Sequence, residues 1–124
     1  MKLILDTHAA LWWLDGDERF GSAATQYLAD ATNQVLLSAA VVLEVAIKRS
    51  LGKLEAPDDF APTLLGAGAQ PLPITLQHAA AVADLPWHHR DPFDRMLVAQ
   101  AKIEQAGLVT RDDALASYDI TTVW

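Results

Sequence analysis

The sequence contains no cysteine, which excludes disulfide bonds, thiolate zinc sites and a cysteine nucleophile. Aromatic residues are scarce, at 7%, and the 9 basic residues are outnumbered by 16 acidic ones. The net charge of −7 excludes a protein that coats nucleic acid through an overall positive field. An acidic chain can nevertheless hold cations at a carboxylate site, or bind a basic partner.

Long hydrophobic runs are also missing, although 52% of the 124 residues are apolar. The longest uncharged stretch, residues 60–83, contains three prolines and two glycines and lacks the roughly 20 mostly apolar residues of a membrane span. The first apolar run is too short for a secretory signal. We therefore expect a cytoplasmic protein without membrane contact, folded as a single domain over residues 1–124.

Short apolar runs alternate with helical patterns along the chain, which is typical of an α/β protein with a mostly parallel sheet covered on both faces. The predicted strands are 2–6, 35–37, 108–110 and 120–123, with a connector or short strand at 71–74. The predicted helices are 8–14, 22–31, 39–51, 57–67, 76–84, 92–106 and 113–117. Ser22, Thr75 and Asp91 are expected to cap helices, and Gly107 is expected to end the longest one.

Acidic residues directly follow two of these strands, and sites in such sheets lie at the carboxyl ends of the strands. Asp6 follows the first strand and is expected either to cap the next helix or to act as a functional carboxylate. Asp112 and Asp113 follow the strand at 108–110. We expect one of them to cap the short helix and the other to face the site.

Glu44 is the only charged residue between Ala31 and Ile47, and most of its helix face is apolar. We therefore expect its carboxylate to be at least half buried, which requires a partner or a shifted pKa. The partner is either Lys48, at the favourable i,i+4 spacing, or a metal ion. The helix pattern alone does not separate these two interpretations.

The segment that begins at Asp91 reads as the start of a helix, with an N-cap acid, a proline at the first position and Asp94 at the third. Asp91 is the expected cap. Asp94 lies in line with the apolar stripe of the helix and is the functional candidate. His88 and His89 are expected to orient this turn rather than to bind metal, because no third nitrogen ligand is apparent.

Together, four acids on four elements are predicted to converge on one edge of the sheet: Asp6, Glu44, Asp94 and one of the pair at 112–113. Gathered carboxylates repel one another, and a divalent cation relieves that repulsion. All-oxygen ligation favours Mg²⁺ or Mn²⁺. The residue chemistry therefore indicates a Mg²⁺-dependent enzyme acting on phosphate esters.

Four segments carry a resemblance to a known family: LILDTHAALWWL at 3–14, LSAAVVLEVAIKRSLGKL at 37–54, HRDPFDRMLVAQA at 89–101 and LVTRDDALASYDI at 108–120. They occur in the order found in PIN-domain ribonucleases, and within these the chain resembles VapC-type toxins of toxin–antitoxin pairs. The resemblance implies a PIN domain, an α/β/α sandwich around a mostly parallel sheet. It also implies a homodimer and a cognate antitoxin.

The resemblance further implies a metal-dependent endoribonuclease that hydrolyses RNA with water activated by one or two Mg²⁺ (or Mn²⁺) ions. Its catalytic, metal-binding carboxylates correspond to Asp6, Glu44, Asp94 and Asp112, and Asp113 could share the role of Asp112. Leu43 stands where the family usually has an aromatic residue, which indicates a packing change. Thr7, Ser38 and Thr110 follow strands and are expected to cap helices or to orient the ligands.

Basic residues near these acids are candidate RNA contacts: Lys48 and Arg49 after Glu44, and Arg95 beside Asp94, with a solvated helix face as the alternative. The four tryptophans are expected to pack in the core or at an interface rather than to stack on bases.

Two other functions remain open at this stage. One is a degenerate PIN domain, or a receiver-like α/β module, that binds without cleaving, although a receiver needs a late lysine and none follows Lys102. The other is a phosphohydrolase of the haloacid dehalogenase type. That type requires an Asp-x-Asp pair, whereas this chain has Asp6-Thr7-His8.

Overall fold

A single five-stranded parallel sheet forms the centre of the molecule in the computed structural model, which describes residues 1–124. Its strands are β1 (Lys2–Leu5), β2 (Gln34–Ser38), β3 (Gln70–Leu72), β4 (Gly107–Val109) and β5 (Thr122–Val123). The spatial order is β3-β2-β1-β4-β5, and every neighbouring pair is parallel. The predicted parallel sheet is thus confirmed, and the segment near residue 71 is a short strand.

Helices cover both faces of this sheet. They are α1 (Thr7–Asp15), α2 (Ser22–Ala29), α3 (Ala39–Ser50), α4 (Phe60–Gly66), α5 (Leu76–Ala81), α6 (Pro92–Glu104) and α7 (Asp113–Ala116), with a 3₁₀ turn at Val82–Asp84. Leu3, Ile4 and Leu5 point to alternate faces, and all three are fully buried, so neither face of β1 meets solvent. The α/β/α sandwich is confirmed. None of the helices has the length and apolar character that crossing a bilayer would require.

Two predicted helix caps are wrong, for tertiary reasons, and the helix predicted over 57–67 begins only at Phe60. Gly21, not Ser22, is the N-cap of α2, and a side chain at position 21 would collide with the backbone carbonyl of Trp124. Helix α6 ends on Gln105, which adopts the left-handed conformation at φ 53°, instead of on Gly107. Gly107 begins β4 against Leu3, where a Cβ would lie 3.2 Å from a Leu3 methyl group. The caps predicted at Thr75 and Asp91 are both present.

The strand order reverses beside β1, and this places the candidate site. The chain runs outward from β1 through β2 to β3, then returns to place β4 and β5 on the other side of β1. Leu5 pairs with Val109, and the Asp6 N–H donates to the Val109 carbonyl at 3.1 Å. Such a reversal opens a crevice at the carboxyl ends of the strands, and here Asp6 lines it.

Candidate metal centre

A pocket of about 740 Å³ opens at this crevice, and the four predicted acids all line it: Asp6, Glu44, Asp94 and Asp112. They arrive from the end of β1, from α3, from the first turn of α6 and from the segment after β4. Asp91 and Glu55 add further carboxylates to the wall. The fold therefore gathers acids that are far apart in the sequence around one open space.

Asp6 both caps a helix and faces this pocket. Its Oδ1 accepts a hydrogen bond from the Ala9 N–H at 2.8 Å, which caps α1. Burial raises the pKa of the Asp6 carboxyl, while hydrogen bonds from Thr110 and Ala9 act in the opposite direction. The two interpretations of this residue were not exclusive, because the cap occupies only one of its two oxygens.

Glu44 is 6% exposed, so the predicted burial is confirmed. Its Oε1 accepts a short hydrogen bond from the Thr7 hydroxyl, and its Oε2 lies 2.9 Å from Lys48 Nζ. The hydrogen bond to Glu44 raises the pKa of Lys48, which keeps the ammonium charged. The predicted ion pair exists, and it places a fixed, doubly held carboxylate at the wall of the pocket.

Asp94 and Asp112 form the tightest cluster of the site, together with His89. The Nε2 atom of His89 lies 3.4 Å from Asp94 Oδ2 and 3.1 Å from Asp112 Oδ2, and one ligand atom from each residue lies within 4.8 Å of the others. Burial and then the negative charge of Asp91 raise the pKa of Asp94 to about 7. A cation nearby would therefore stabilise the charged form of Asp94.

The prediction that Asp112 and Asp113 divide capping and site roles between them is wrong. Asp112 does both, because its Oδ1 accepts from the Ala114 N–H at 2.9 Å while its Oδ2 faces His89. Asp113 is exposed and does not line the pocket. Asp113 therefore has no visible role at this site, although it follows Asp112 directly in the sequence.

The hydroxyls after the strands have different tasks. Ser38 is buried, caps α3 by accepting from the Ala40 N–H at 3.0 Å, and donates to Gln100 at 2.6 Å. It does not touch the acids. Thr110 accepts from the Asp112 N–H at 3.0 Å, and Thr7 donates to Glu44. Thr7 and Thr110 therefore orient the candidate ligands, whereas Ser38 is a structural cap.

The donor set of this pocket fits Mg²⁺ or Mn²⁺. Asp6, Glu44, Asp94 and Asp112 offer carboxylate oxygens only, and hard divalent cations prefer oxygen. A neighbouring group already holds each of Asp6, Glu44 and Asp112, as metal-binding carboxylates require. Burial and then the negative charge of Asp91 disfavour the Asp94 carboxylate, and a bound cation would offset both.

Comparison with known proteins agrees with this geometry. The family model described as "PIN domain" matches residues 3–120. The chain belongs to the PIN-domain family. The receiver-like and haloacid dehalogenase interpretations are therefore wrong. A search of curated protein sequences found no match.

Solved structures share the PIN fold along almost the whole chain. The VapBC2 complex of Rickettsia felis bound to promoter DNA aligns with a TM-score of 0.72 at 14% identity, covering 98% of this chain and 97% of that one. DNA-bound VapBC from Salmonella typhimurium aligns at 0.70, with 16% identity and coverages of 98% and 96%. A toxin–antitoxin complex from Klebsiella pneumoniae aligns at 0.67, with 16% identity and the same coverages. At these identities the likeness establishes the fold.

The structure contradicts the phosphate contact predicted for Arg95. Only 3% of this residue is exposed, because its guanidinium lies beneath the segment that joins α5 to α6. It donates to the carbonyls of Pro86 at 2.9 Å and Val82 at 3.0 Å, and it stacks on the Trp87 ring at 3.9 Å. Arg95 therefore stabilises the fold. Arg49 pairs with Asp58 and also lies outside the pocket.

The cations that do line the pocket of this PIN domain are Lys48, Arg19 and Arg111. The guanidinium carbons of both arginines lie over the Trp12 ring, at 4.7 Å for Arg19 and 4.8 Å for Arg111. Trp12 is buried, as predicted, and the two guanidinium groups stack on it, whereas Trp87 is exposed. Sequence reasoning missed this pairing because positions 12, 19 and 111 share no local pattern.

The raised pKa of Asp94 predicts how the stability of the metal-free protein depends on pH. Between the ordinary pKa of 3.8 and about 7, the folded state holds a proton that the unfolded chain releases. The contribution of Asp94 to the free energy of unfolding is therefore greatest at low pH and is lost as the pH rises towards 7. We expect Asp94→Asn to unfold with a free energy higher than wild type by about 4 kcal/mol at pH 8, and by little at pH 4. Denaturant titrations in EDTA measure this difference, and a difference independent of pH would contradict the assignment.

Proposed function

We propose that this PIN domain is a Mg²⁺/Mn²⁺-dependent endoribonuclease and the toxin of a cytoplasmic toxin–antitoxin pair. The observation that carries the proposal is the convergence of Asp6, Glu44, Asp94 and Asp112 at the strand-order reversal. The similar folds in VapBC complexes support the toxin assignment. RNA is the substrate that the sequence resemblance implies.

These four carboxylates would hold one or two divalent cations. A bound ion of this kind lowers the pKa of a water molecule and neutralises charge on the scissile phosphate. The residues of the chain keep the carboxylates in place before substrate arrives: Ala9 holds Asp6, Thr7 and Lys48 hold Glu44, and Ala114 holds Asp112. Because the carboxylates are already in place, the reaction does not require additional free energy to bring these like charges together.

The first test is cleavage of a mixed cellular RNA pool by purified protein, with Mg²⁺, with Mn²⁺ and with EDTA. We expect discrete cuts that require metal. A degenerate PIN domain that only binds is the alternative. It would show no cleavage under any condition and, in calorimetry, no binding of Mn²⁺. Absent cleavage with normal Mn²⁺ binding would instead indicate that the pool lacks the substrate.

Arg111 is the best candidate to contact RNA phosphates beside the acids. Lys48 is neutralised by Glu44, and Arg19 is paired with Asp17 at 2.8 Å, whereas no carboxylate lies within ion-pair distance of Arg111. We expect Arg111→Ala to weaken RNA binding and to reduce the slope of log K against log salt by about 1. Fluorescence anisotropy over a salt series measures this slope. Lys102→Ala, the same loss of charge on exposed α6 surface, is the matched control, and equal slopes in both variants would exclude the role.

Protein partners complete the proposal: a cognate antitoxin and a second copy of the chain. These partners could bind to exposed apolar side chains. Three of these, Leu43, Ile47 and Leu51, lie at four-residue intervals along α3 and just after its end. Leu43, at the position where the resemblance implies an aromatic residue, is half-exposed. Exposed Leu76 and Trp87 add further apolar area.

A further inference from the structure

His89 occupies a position in this site that the four carboxylates do not explain. We propose that His89 is a positioning residue, whose Nε2–H holds Asp94 and Asp112 in a fixed arrangement for the metal. The inference concerns the centre under the proposed function and rests on it for the identity of the ligand. The neighbouring His88 does not share this role.

Hydrogen bonding determines which ring nitrogen of His89 carries the proton. The backbone N–H of Asp91 can only donate, and its nitrogen lies 3.0 Å from His89 Nδ1. Nδ1 must therefore accept with its lone pair, so in the neutral ring the hydrogen is on Nε2. That nitrogen points at Asp112 Oδ2 at 3.1 Å, with Asp94 Oδ2 at 3.4 Å. A protonated Nε2 donates to carboxylates and has no lone pair to offer a metal.

The ring is held in this orientation from its backbone as well. The His89 N–H donates to the Tyr118 hydroxyl at 3.0 Å, and the His89 carbonyl accepts from the Arg95 guanidinium at 3.4 Å. Arg95 also donates to the Tyr118 hydroxyl at 3.3 Å. The buried arginine and the tyrosine thus anchor the residue that contacts the acids. The expected turn-orienting role of His89 is confirmed by its bond to Asp91, and the contact with the carboxylates is additional.

An N–H donor at this point suits a site built from two carboxylates. Asp94 and Asp112 come from different elements and carry like charges, so nothing in their own helices sets their separation. One N–H between them attracts both carboxylates, since Nε2 lies 3.1 Å from Asp112 Oδ2 and 3.4 Å from Asp94 Oδ2. Since the Asp112 Oδ1 caps α7, both oxygens of Asp112 are oriented before any ion binds. Outer contacts of this kind typically change metal affinity by about 10- to 100-fold.

The tautomer can be read directly by ¹⁵N NMR of the ring nitrogens in the whole protein. We expect the ring of His89 to carry its proton on Nε2 and a lone pair on Nδ1, both without metal and with saturating Mg²⁺. A proton on Nδ1 would overturn the proposal. Loss of the Nε2 proton on adding Mg²⁺ would make His89 a ligand, and would overturn it equally. This measurement does not depend on cleavage.

Calorimetric titration with Mn²⁺ tests the consequence for the site. We expect His89→Ala to bind Mn²⁺ about tenfold more weakly than wild type, and His89→Gln, which keeps a side-chain N–H donor, to recover part of that loss. His88→Ala is the matched control, because the exposed His88 ring packs edge-on against Tyr118 at 5.0 Å instead of facing the acids.

The outcomes separate this inference from the proposed function. Equal Mn²⁺ affinity in wild type and His89→Ala would overturn the positioning role and leave the metal centre standing. Absence of Mn²⁺ binding in wild type would overturn the proposed centre, and with it a positioning role toward metal, even if NMR showed the bridge. Equal weakening in His88→Ala and His89→Ala would also overturn the inference, because the effect would then come from the segment as a whole.

Discussion

Asp94→Asn is expected to lower RNA cleavage by at least about 100-fold, since loss of outer contacts alone costs 10- to 100-fold at metal sites and this change removes a charged ligand. The substitution preserves the shape of the side chain and leaves the Asp91 cap of α6 in place. It also removes the charge whose burial raises the pKa of Asp94 to about 7. Activity should therefore fall while stability stays the same or rises, a combination that damage to the fold cannot produce.

Asp113→Asn is the matched control for this experiment. It makes the same chemical change one residue from Asp112, on an exposed side chain outside the pocket. We expect cleavage within about twofold of wild type, because surface substitutions away from special features have small effects. Measurement of initial cleavage rates and of unfolding in EDTA on both variants gives the comparison. Equal losses in the two variants, or a large loss of stability in Asp94→Asn, would favour a structural role for Asp94.

Arg95→Ala is expected to destabilise the protein by about 3–5 kcal/mol, the cost typical of dismantling a buried charged network. The guanidinium donates to the carbonyls of Val82, Leu85 and Pro86, and truncation would remove this donor from all three, including the carbonyl of buried Leu85. Arg95→Lys should recover only part of the loss, because an ammonium lacks the planar fork that reaches several carbonyls at once. The total free energy of unfolding of most natural domains is about 5–15 kcal/mol, so the alanine variant should be close to unfolding.

Denaturant unfolding of Arg95→Ala beside Lys102→Ala measures this effect on one helix. Both variants lose one positive charge from α6, but Lys102 is exposed. We expect the Lys102 variant to stay within about 0.5 kcal/mol of wild type. If Arg95→Ala proved as stable as this control and bound RNA more weakly, the phosphate contact predicted from the sequence would be correct after all.

Local sequence patterns predicted the parts of this protein that depend on near neighbours. The apolar run before Asp6 and the run before Thr110 form adjacent buried strands. Asp91 and Thr75 cap their helices through atoms two or three residues away. The helix face around Glu44 predicted its burial, since neighbours at three and four residues share that face. Each of these predictions rests on contacts within one helical turn or one strand.

Local patterns failed where one side chain had a second, distant partner. In the sequence, Arg95 looks like a surface residue beside Asp94. It is buried only because the segment between α5 and α6 folds over its guanidinium. Nothing in the His88-His89 pair reveals which ring turns toward Asp112, 23 residues further on. The Gly21 boundary likewise depends on the far end of the chain, where the Trp124 carbonyl accepts from the Ala24 N–H at 3.0 Å.

The sequence by itself determined which chemistry this protein can hold: carboxylates after parallel strands, no thiols, and a family whose motifs span residues 3–120. Only the tertiary structure decided how those carboxylates are held and which cations share their pocket. Thr7 reaches Glu44 across 37 residues, and Arg19 and Arg111 meet over Trp12. The physical reason is that propensity and periodicity act over a few residues. Side chains from different elements, by contrast, meet only once the sheet and its covering helices have packed.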